Sequence, residues 1–218
     1  MVKPDISLYL VTNSEGLSDD EFLHIIAQAC EGGVTIVQLR EKEKTGKEYF
    51  ELAVKVKKVT DRYGVPLVID DRADVAVASG AAGVHLGQSD LPVKAARAFL
   101  GPDMIIGASA KTVEQAIAAE RAGANYLGTG AIFPTTTKVI TVLTPVETLR
   151  DIAASVSIPV VAIGGLNAGN LNAVYGSGAS GAAVVTAIMD SPGPKSAAAE
   201  LRRLIDANIR GTAAPCER

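Results

Sequence analysis

Short apolar runs alternate with longer amphipathic stretches along the whole chain. The apolar runs lie at residues 6–12, 35–40, 66–71, 83–87, 104–108, 126–130, 159–164 and 181–187. Most are continuous rather than alternating, the pattern of parallel strands covered on both faces. Between them, helices are expected over 45–63, 73–79, 92–100, 112–122, 145–155, 168–175 and 194–209. Another runs from an N-cap at Ser18, through the acidic turn Asp19-Asp20-Glu21, to Cys30, and Gly32-Gly33 ends it. Gly33-Val34, Gly83-Val84, Gly123-Ala124 and Gly178-Ala179 each stand between a helix and the next strand, a weak internal echo. Eight strand–helix units predict a single α/β domain, a (β/α)8 TIM barrel over residues 1–210, with a frayed tail over 211–218. The alternative is an open doubly wound sheet. The first turn lacks a glycine fingerprint, and eight regular units favour closure.

In such a barrel the functional end is where the strands finish. Strand two ends in Gln38-Leu39-Arg40-Glu41-Lys42, and strand three in Asp70-Asp71-Arg72. Strand four leads into His85-Leu86-Gly87-Gln88-Ser89-Asp90, and strand five into Gly107-Ala108-Ser109-Ala110-Lys111. Strand six opens into Gly128-Thr129-Gly130-Ala131-Ile132-Phe133-Pro134-Thr135-Thr136-Thr137-Lys138. Strand seven ends in Ile163-Gly164-Gly165-Leu166-Asn167, and strand eight in Val185-Thr186-Ala187. Taken singly, each has a plain structural reading. The threonine loop is a polar turn, Arg40 a surface ion-pair partner, Asp71 a helix N-cap, and Gly164-Gly165 a turn. Their collection at one rim is harder to explain that way.

Composition narrows the chemistry. The 218 residues are 48% hydrophobic, with a formal net charge of −3 and no Trp. That gives no electrostatic reason to bind nucleic acid and few platforms for base stacking. No apolar run is long enough to span a bilayer, and Met1-Val2-Lys3-Pro4-Asp5 lacks a signal-peptide core. Two cysteines, Cys30 and Cys216, make no disulfide framework, so a cytoplasmic protein is expected. With only His24 and His85 a His-rich zinc site is excluded, and a metal would be held by oxygen, which points to magnesium.

The charged residues then sort into roles. Asp71 and Asp90 end neighbouring strands and would repel unless a cation lies between them, and magnesium is commonly held by one or two carboxylates plus phosphate oxygens. Arg40, Lys42 and Lys138 bring more positive charge than a monophosphate needs, which suits a pyrophosphate. Gly164-Gly165 and the turn after Val185-Thr186 form the usual barrel phosphate site after strands seven and eight.

The chain resembles the thiamine-phosphate synthase family over nearly its full length. The resemblance rests on Leu8-Tyr9-Leu10-Val11-Thr12, Val37-Gln38-Leu39-Arg40-Glu41-Lys42, Asp71-Arg72, the run from His85 to Asp90, Gly107-Ala108-Ser109-Ala110, the run from Gly130 to Lys138 and Ala162-Ile163-Gly164-Gly165. It implies a transferase that joins a hydroxymethylpyrimidine diphosphate to a thiazole phosphate, with or without an extra carboxylate, giving thiamine phosphate and pyrophosphate with Mg2+ as cofactor. Carried over residue by residue, Gln38 would contact the pyrimidine, and Arg40, Lys42 and Lys138 would bind pyrophosphate. Asp71 and Asp90 would hold magnesium, and Ser109 would stand against the diphosphate at the reacting centre. Thr135 and Thr137 would face the thiazole, and Gly165, Val185 and Thr186 would cradle its phosphate. The partners implied are these small molecules. Exposed faces cannot be assigned from the sequence, so homo-oligomer formation stays open.

Two departures from the family pattern stand out. Asp70 replaces an expected Asn, and a carboxylate there would repel pyrophosphate unless metal-bound or turned away. The apolar segment Val139-Ile140-Thr141-Val142 follows Lys138, where more polar residues are usual. Two rival functions share the scaffold. A thiazole tautomerase would have a His close after the strand-five Ser, where this chain has Lys111. A non-catalytic regulator would have no need of Ser109 and Asp90.

Overall fold

The computed structural model describes residues 3–135 and 142–210. Eight parallel strands close on themselves in chain order: β1 (Leu8–Val11), β2 (Ile36–Leu39), β3 (Leu67–Asp70), β4 (Gly83–Leu86), β5 (Ile105–Ser109), β6 (Tyr126–Thr129), β7 (Val160–Ile163) and β8 (Gly181–Val184). The last pairs with the first through Leu8↔Ala182 and Leu10↔Val184. The open-sheet alternative is thereby excluded.

The helices are α1 (Asp19–Glu31), α2 (Gly46–Arg62), α3 (Ala73–Ser79), α4 (Val93–Leu100), α5 (Val113–Arg121), α6 (Val146–Ser155), a short α7 (Thr186–Met189) and α8 (Pro194–Ile205). Local sequence sets their starts. Ser18 and Thr45 each accept from the N3 backbone N–H, while Glu21 and Glu48 reach back to the cap, so both helices open on complete capping boxes. Thr112 caps α5 in the same way, through Gln115 N–H.

Two expected elements differ. Residues 168–175 hold only one 3-10 turn, Leu171–Val174. Gly169, two asparagines and side-chain bonds from Asn170 and the preceding Asn167 to the backbone offer that stretch an alternative to helix. The eighth strand stops at Val184, and Thr186 already belongs to α7.

Side-chain alternation divides the core. Outward residues such as Leu8, Leu10, Val37, Leu39, Ile69 and Leu127 pack under the helices. Inward residues, among them Tyr9, Val11, Ile36, Val68, Ile105, Tyr126 and Val161, fill the barrel, and Ile6 joins them from just before β1. The same parity carries Gln38, Asp70 and Ser109 to the upper interior, two positions beyond Ile36, Val68 and Gly107. A Cβ at Gly107 would lie 2.1 Å from the Tyr126 ring, so the absent side chain there makes room for that tyrosine.

Candidate active site

At the C-terminal ends of the strands lies a cavity of about 570 Å³. Gln38, Arg40, Lys42, Asp70, Asp71, Asp90, Ser109, Thr135, Gly165, Val185 and Thr186 all line it, so the structure gathers every described candidate residue around one space. Thr137 and Lys138 lie outside the described residues, as do positions 139–141 and the tail 211–218. Val142 is exposed. A second depression of about 400 Å³ lies at the opposite end of the barrel, around Lys3, Pro159 and Ser180.

One side of the cavity is a charge cluster. Lys42 Nζ lies 2.7 Å from Asp70 Oδ2 and also bonds Asp71, while Arg40 Nε stands 3.8 Å from Asp70. The departure at position 70 is therefore a buried carboxylate turned onto the two cations rather than toward an anion. Burial raises its pKa, the neighbouring Asp71 adds to that, and Lys42 and Arg40 oppose both.

Asp71 is not a helix cap. The residue before α3 is Arg72, and it makes no side-chain cap bond. Asp71 instead adopts φ 60°, the only described non-glycine residue with positive φ, a conformation that Asp tolerates better than most. Such outliers concentrate at functional sites. Its carboxyl hydrogen-bonds that of Asp90. Burial works to raise Asp71, but Lys42 and the bond to Asp90 outweigh it and hold its pKa below the ordinary value. Asp90 is raised, first by burial and then by Asp71, while Gly87 N–H donates to its Oδ2 at 2.7 Å.

Two neighbouring carboxyls whose pKa values are driven apart fit a hard divalent cation placed between them. Among the described residues no three His, Cys, Asp or Glu side chains form a metal cage. The donor set thus leaves coordination positions for ligand oxygens and water, as magnesium favours.

The opposite side is built from backbone. Gly165 adopts φ 63°, open to glycine at little cost, and Asn170 Nδ2 holds its carbonyl at 2.9 Å. The loop after β6 lies directly on this turn: Ile132 N–H donates to Ile163 O and Phe133 N–H to Gly164 O, both at 3.0 Å. A Cβ at Gly130 would fall 1.9 Å from Ile163 O, so this approach requires glycine. Thr135 therefore reaches the cavity from a loop tied to the strand-seven turn.

Several cavity residues escaped the sequence reading as role-bearing groups. His85 lines the space and contacts Ser109. Gln88 Nε2 donates to Ser109 O at 2.6 Å, and Lys111 also lines the cavity. For His85 the usable signal is a polar side chain at an inward strand position, where it must find a partner, whereas Gln88 and Lys111 lie beyond the ends of β4 and β5.

The chain is similar to known proteins over most of its length. A family model described as thiamine monophosphate synthase matches residues 8–188. A thiamine-phosphate synthase of Lacticaseibacillus paracasei is 53% identical over 188 residues, 86% of this chain and 88% of that relative. Thiamine-phosphate synthase 2 of Streptococcus pneumoniae is 52% identical over 191 residues, covering 88% and 91% of the two chains. Among solved structures, a thiamine phosphate pyrophosphorylase of Pyrococcus furiosus superposes with a TM-score of 0.85 at 37% identity, covering 94% of this chain and 98% of that one.

Proposed function

The chain belongs to the thiamine monophosphate synthase family, and on that premise we propose how its rim carries out the family's transfer with release of pyrophosphate. The substrates are 4-amino-2-methyl-5-hydroxymethylpyrimidine diphosphate and a thiazole phosphate, and the product is thiamine phosphate. The observation that carries this reading is one cavity lined on one side by a carboxylate–cation cluster after β2–β4 and on the other by a glycine turn after β7.

In this reading Gln38 orients the pyrimidine, and Arg40 and Lys42 bind the diphosphate. Asp71 and Asp90 would hold magnesium, which when bound would neutralise charge on the diphosphate oxygens. The bond from the pyrimidine methylene to oxygen breaks with its electron pair leaving on pyrophosphate. Cations fixed before the reaction stabilise that charge at little reorganisation cost. The thiazole nitrogen, held by Thr135, Thr137 and the Gly165, Val185 and Thr186 region, supplies the pair for the new C–N bond. Ser109 stands at the reacting centre, and Lys138, by resemblance, adds a further cation beside the diphosphate. A tautomerase would use only the thiazole side of this cavity, and a regulator would bind both ligands without releasing pyrophosphate.

The test is Asp90→Ala. It is expected to keep the fold by circular dichroism and lose about 100-fold or more in pyrophosphate release, the scale of removing one preorganised electrostatic group. Full activity of Asp90→Ala would overturn the magnesium assignment.

A further inference from the structure

A row of polar side chains crosses the barrel interior from Gln38 to Ser109. The Gln38 amide nitrogen donates to Tyr9 Oη at 2.9 Å, and the Tyr9 and Tyr126 hydroxyls are 2.7 Å apart. Tyr126 Oη lies 3.0 Å from His85 Nδ1, and His85 Nε2 lies 3.0 Å from Ser109 Oγ. Both tyrosines are fully buried, whereas Ser109 opens onto the cavity.

With the Gln38 amide nitrogen turned to Tyr9, counting protons fixes the direction of this row. Each hydroxyl has one proton to give, and a buried donor left without an acceptor costs about 1–3 kcal/mol. The side-chain bonds of Tyr9 Oη run to Gln38 and Tyr126. It accepts from Gln38, so its own proton goes to Tyr126. Tyr126 then donates to His85 Nδ1, and a nitrogen that accepts carries no proton. The ring proton therefore sits on Nε2 and points at Ser109 Oγ, which leaves the Ser109 proton for the cavity. An imidazolium fails the same count. Its Nδ1–H would turn the Tyr126 proton back onto Tyr9 and strand the proton of Tyr9. Burial agrees, because it lowers the His85 pKa to about 4.

We propose that this row has a single polarity, set by the Gln38 amide, which fixes His85 as the Nε2–H tautomer and presents Ser109 to the diphosphate substrate as a hydrogen-bond donor. Tyr9, Tyr126 and His85 are positioning residues that act through Ser109. Ser109 is accordingly neither a nucleophile nor deprotonated by His85. The part concerning substrate rests on the functional reading above, and the polarity does not. A Gln38 amide rotated by 180° would reverse every bond in the row and make Ser109 the donor to His85, so the tautomer reports the polarity directly.

Two-bond 1H–15N correlation NMR on the full-length protein distinguishes the two tautomers. The chain has only two histidines, and His24→Gln removes the other signal. The expected result is an Nε2–H ring in the native protein and an Nδ1–H ring in Gln38→Glu, whose carboxylate must accept from Tyr9. An Nδ1–H ring in the native protein, or no change in a folded Gln38→Glu, would overturn the proposal. If Gln38→Glu does not fold, the native tautomer alone decides. Kinetics test the coupling. Tyr126→Phe should lower kcat about threefold to tenfold, as expected for one lost hydrogen bond, with KM little changed. In a Ser109→Ala background it should cost nothing further, and an equal loss in both backgrounds would refute action through Ser109. A fully active Ser109→Ala variant with the Nε2–H ring intact would fault the role given to Ser109 and leave the polarity standing.

Discussion

His85 is a neutral base held inside the barrel, and its environment has a stability consequence. Its ordinary pKa near 6.5 is lowered to about 4 by burial, with Asp71 opposing and Lys42 reinforcing. The unfolded chain therefore takes up this proton first as pH falls. The contribution of His85 to stability is complete above pH 6.5 and is lost progressively toward pH 4, about 3 kcal/mol in all. His85→Asn should flatten that part of the pH dependence of urea unfolding, and an unchanged profile would contradict the burial argument. Asp70 sets the charge balance of the rim. Its carboxylate neutralises Lys42 and Arg40, the groups assigned to the diphosphate. Asp70→Asn should free them and lower the magnesium concentration for half-maximal activity severalfold. An unchanged titration would show that Asp70 does not compete. Asp71, Asp90, Arg40 and Lys42 were legible in the sequence because charged groups following apolar runs have few purposes. Tyr9 and Tyr126 were not, since each sits within an apolar run and its partners come from other strands.

At the scale of elements, the cap at Ser18 stands where it was expected, and the structure adds a second capping box at Thr45. Thr45→Ala should cost about 1 kcal/mol in thermal or urea unfolding and leave kcat and KM unchanged, since it removes a cap remote from the chemistry. The helix expected over 168–175 failed because its Asn side chains bond the local backbone, a competition that apolar periodicity does not register. The early end of β8 was equally hidden, because Val185, Thr186 and Ala187 suit a strand as well as a turn. The loop after β6 depends on contact with the β7 turn. Gly130→Ala should destabilise the protein by roughly 1–3 kcal/mol, because its Cβ meets backbone that cannot yield. It should also raise KM for the thiazole phosphate more than it lowers kcat. A change in kcat alone would mean that the loop serves bond breaking rather than the second substrate.

The whole molecule turns a simple repeat into one site. Eight strands of matched parity bring polar side chains from β2 to β5 to a single rim, and closure sets them across from the β7 turn. Fold class was legible because eight apolar runs with intervening helices admit few arrangements. What closure creates was not, since the row from Gln38 to Ser109 draws on β1, β2, β4, β5 and β6 at once. The central claim is that this rim joins two substrates with release of pyrophosphate. It is tested most directly by 31P NMR of the enzyme with the pyrimidine diphosphate, the thiazole phosphate and magnesium. Pyrophosphate and thiamine phosphate should appear in equal amounts, and neither should form when the thiazole phosphate or magnesium is left out. Binding of both substrates with no new phosphorus signal would contradict the account.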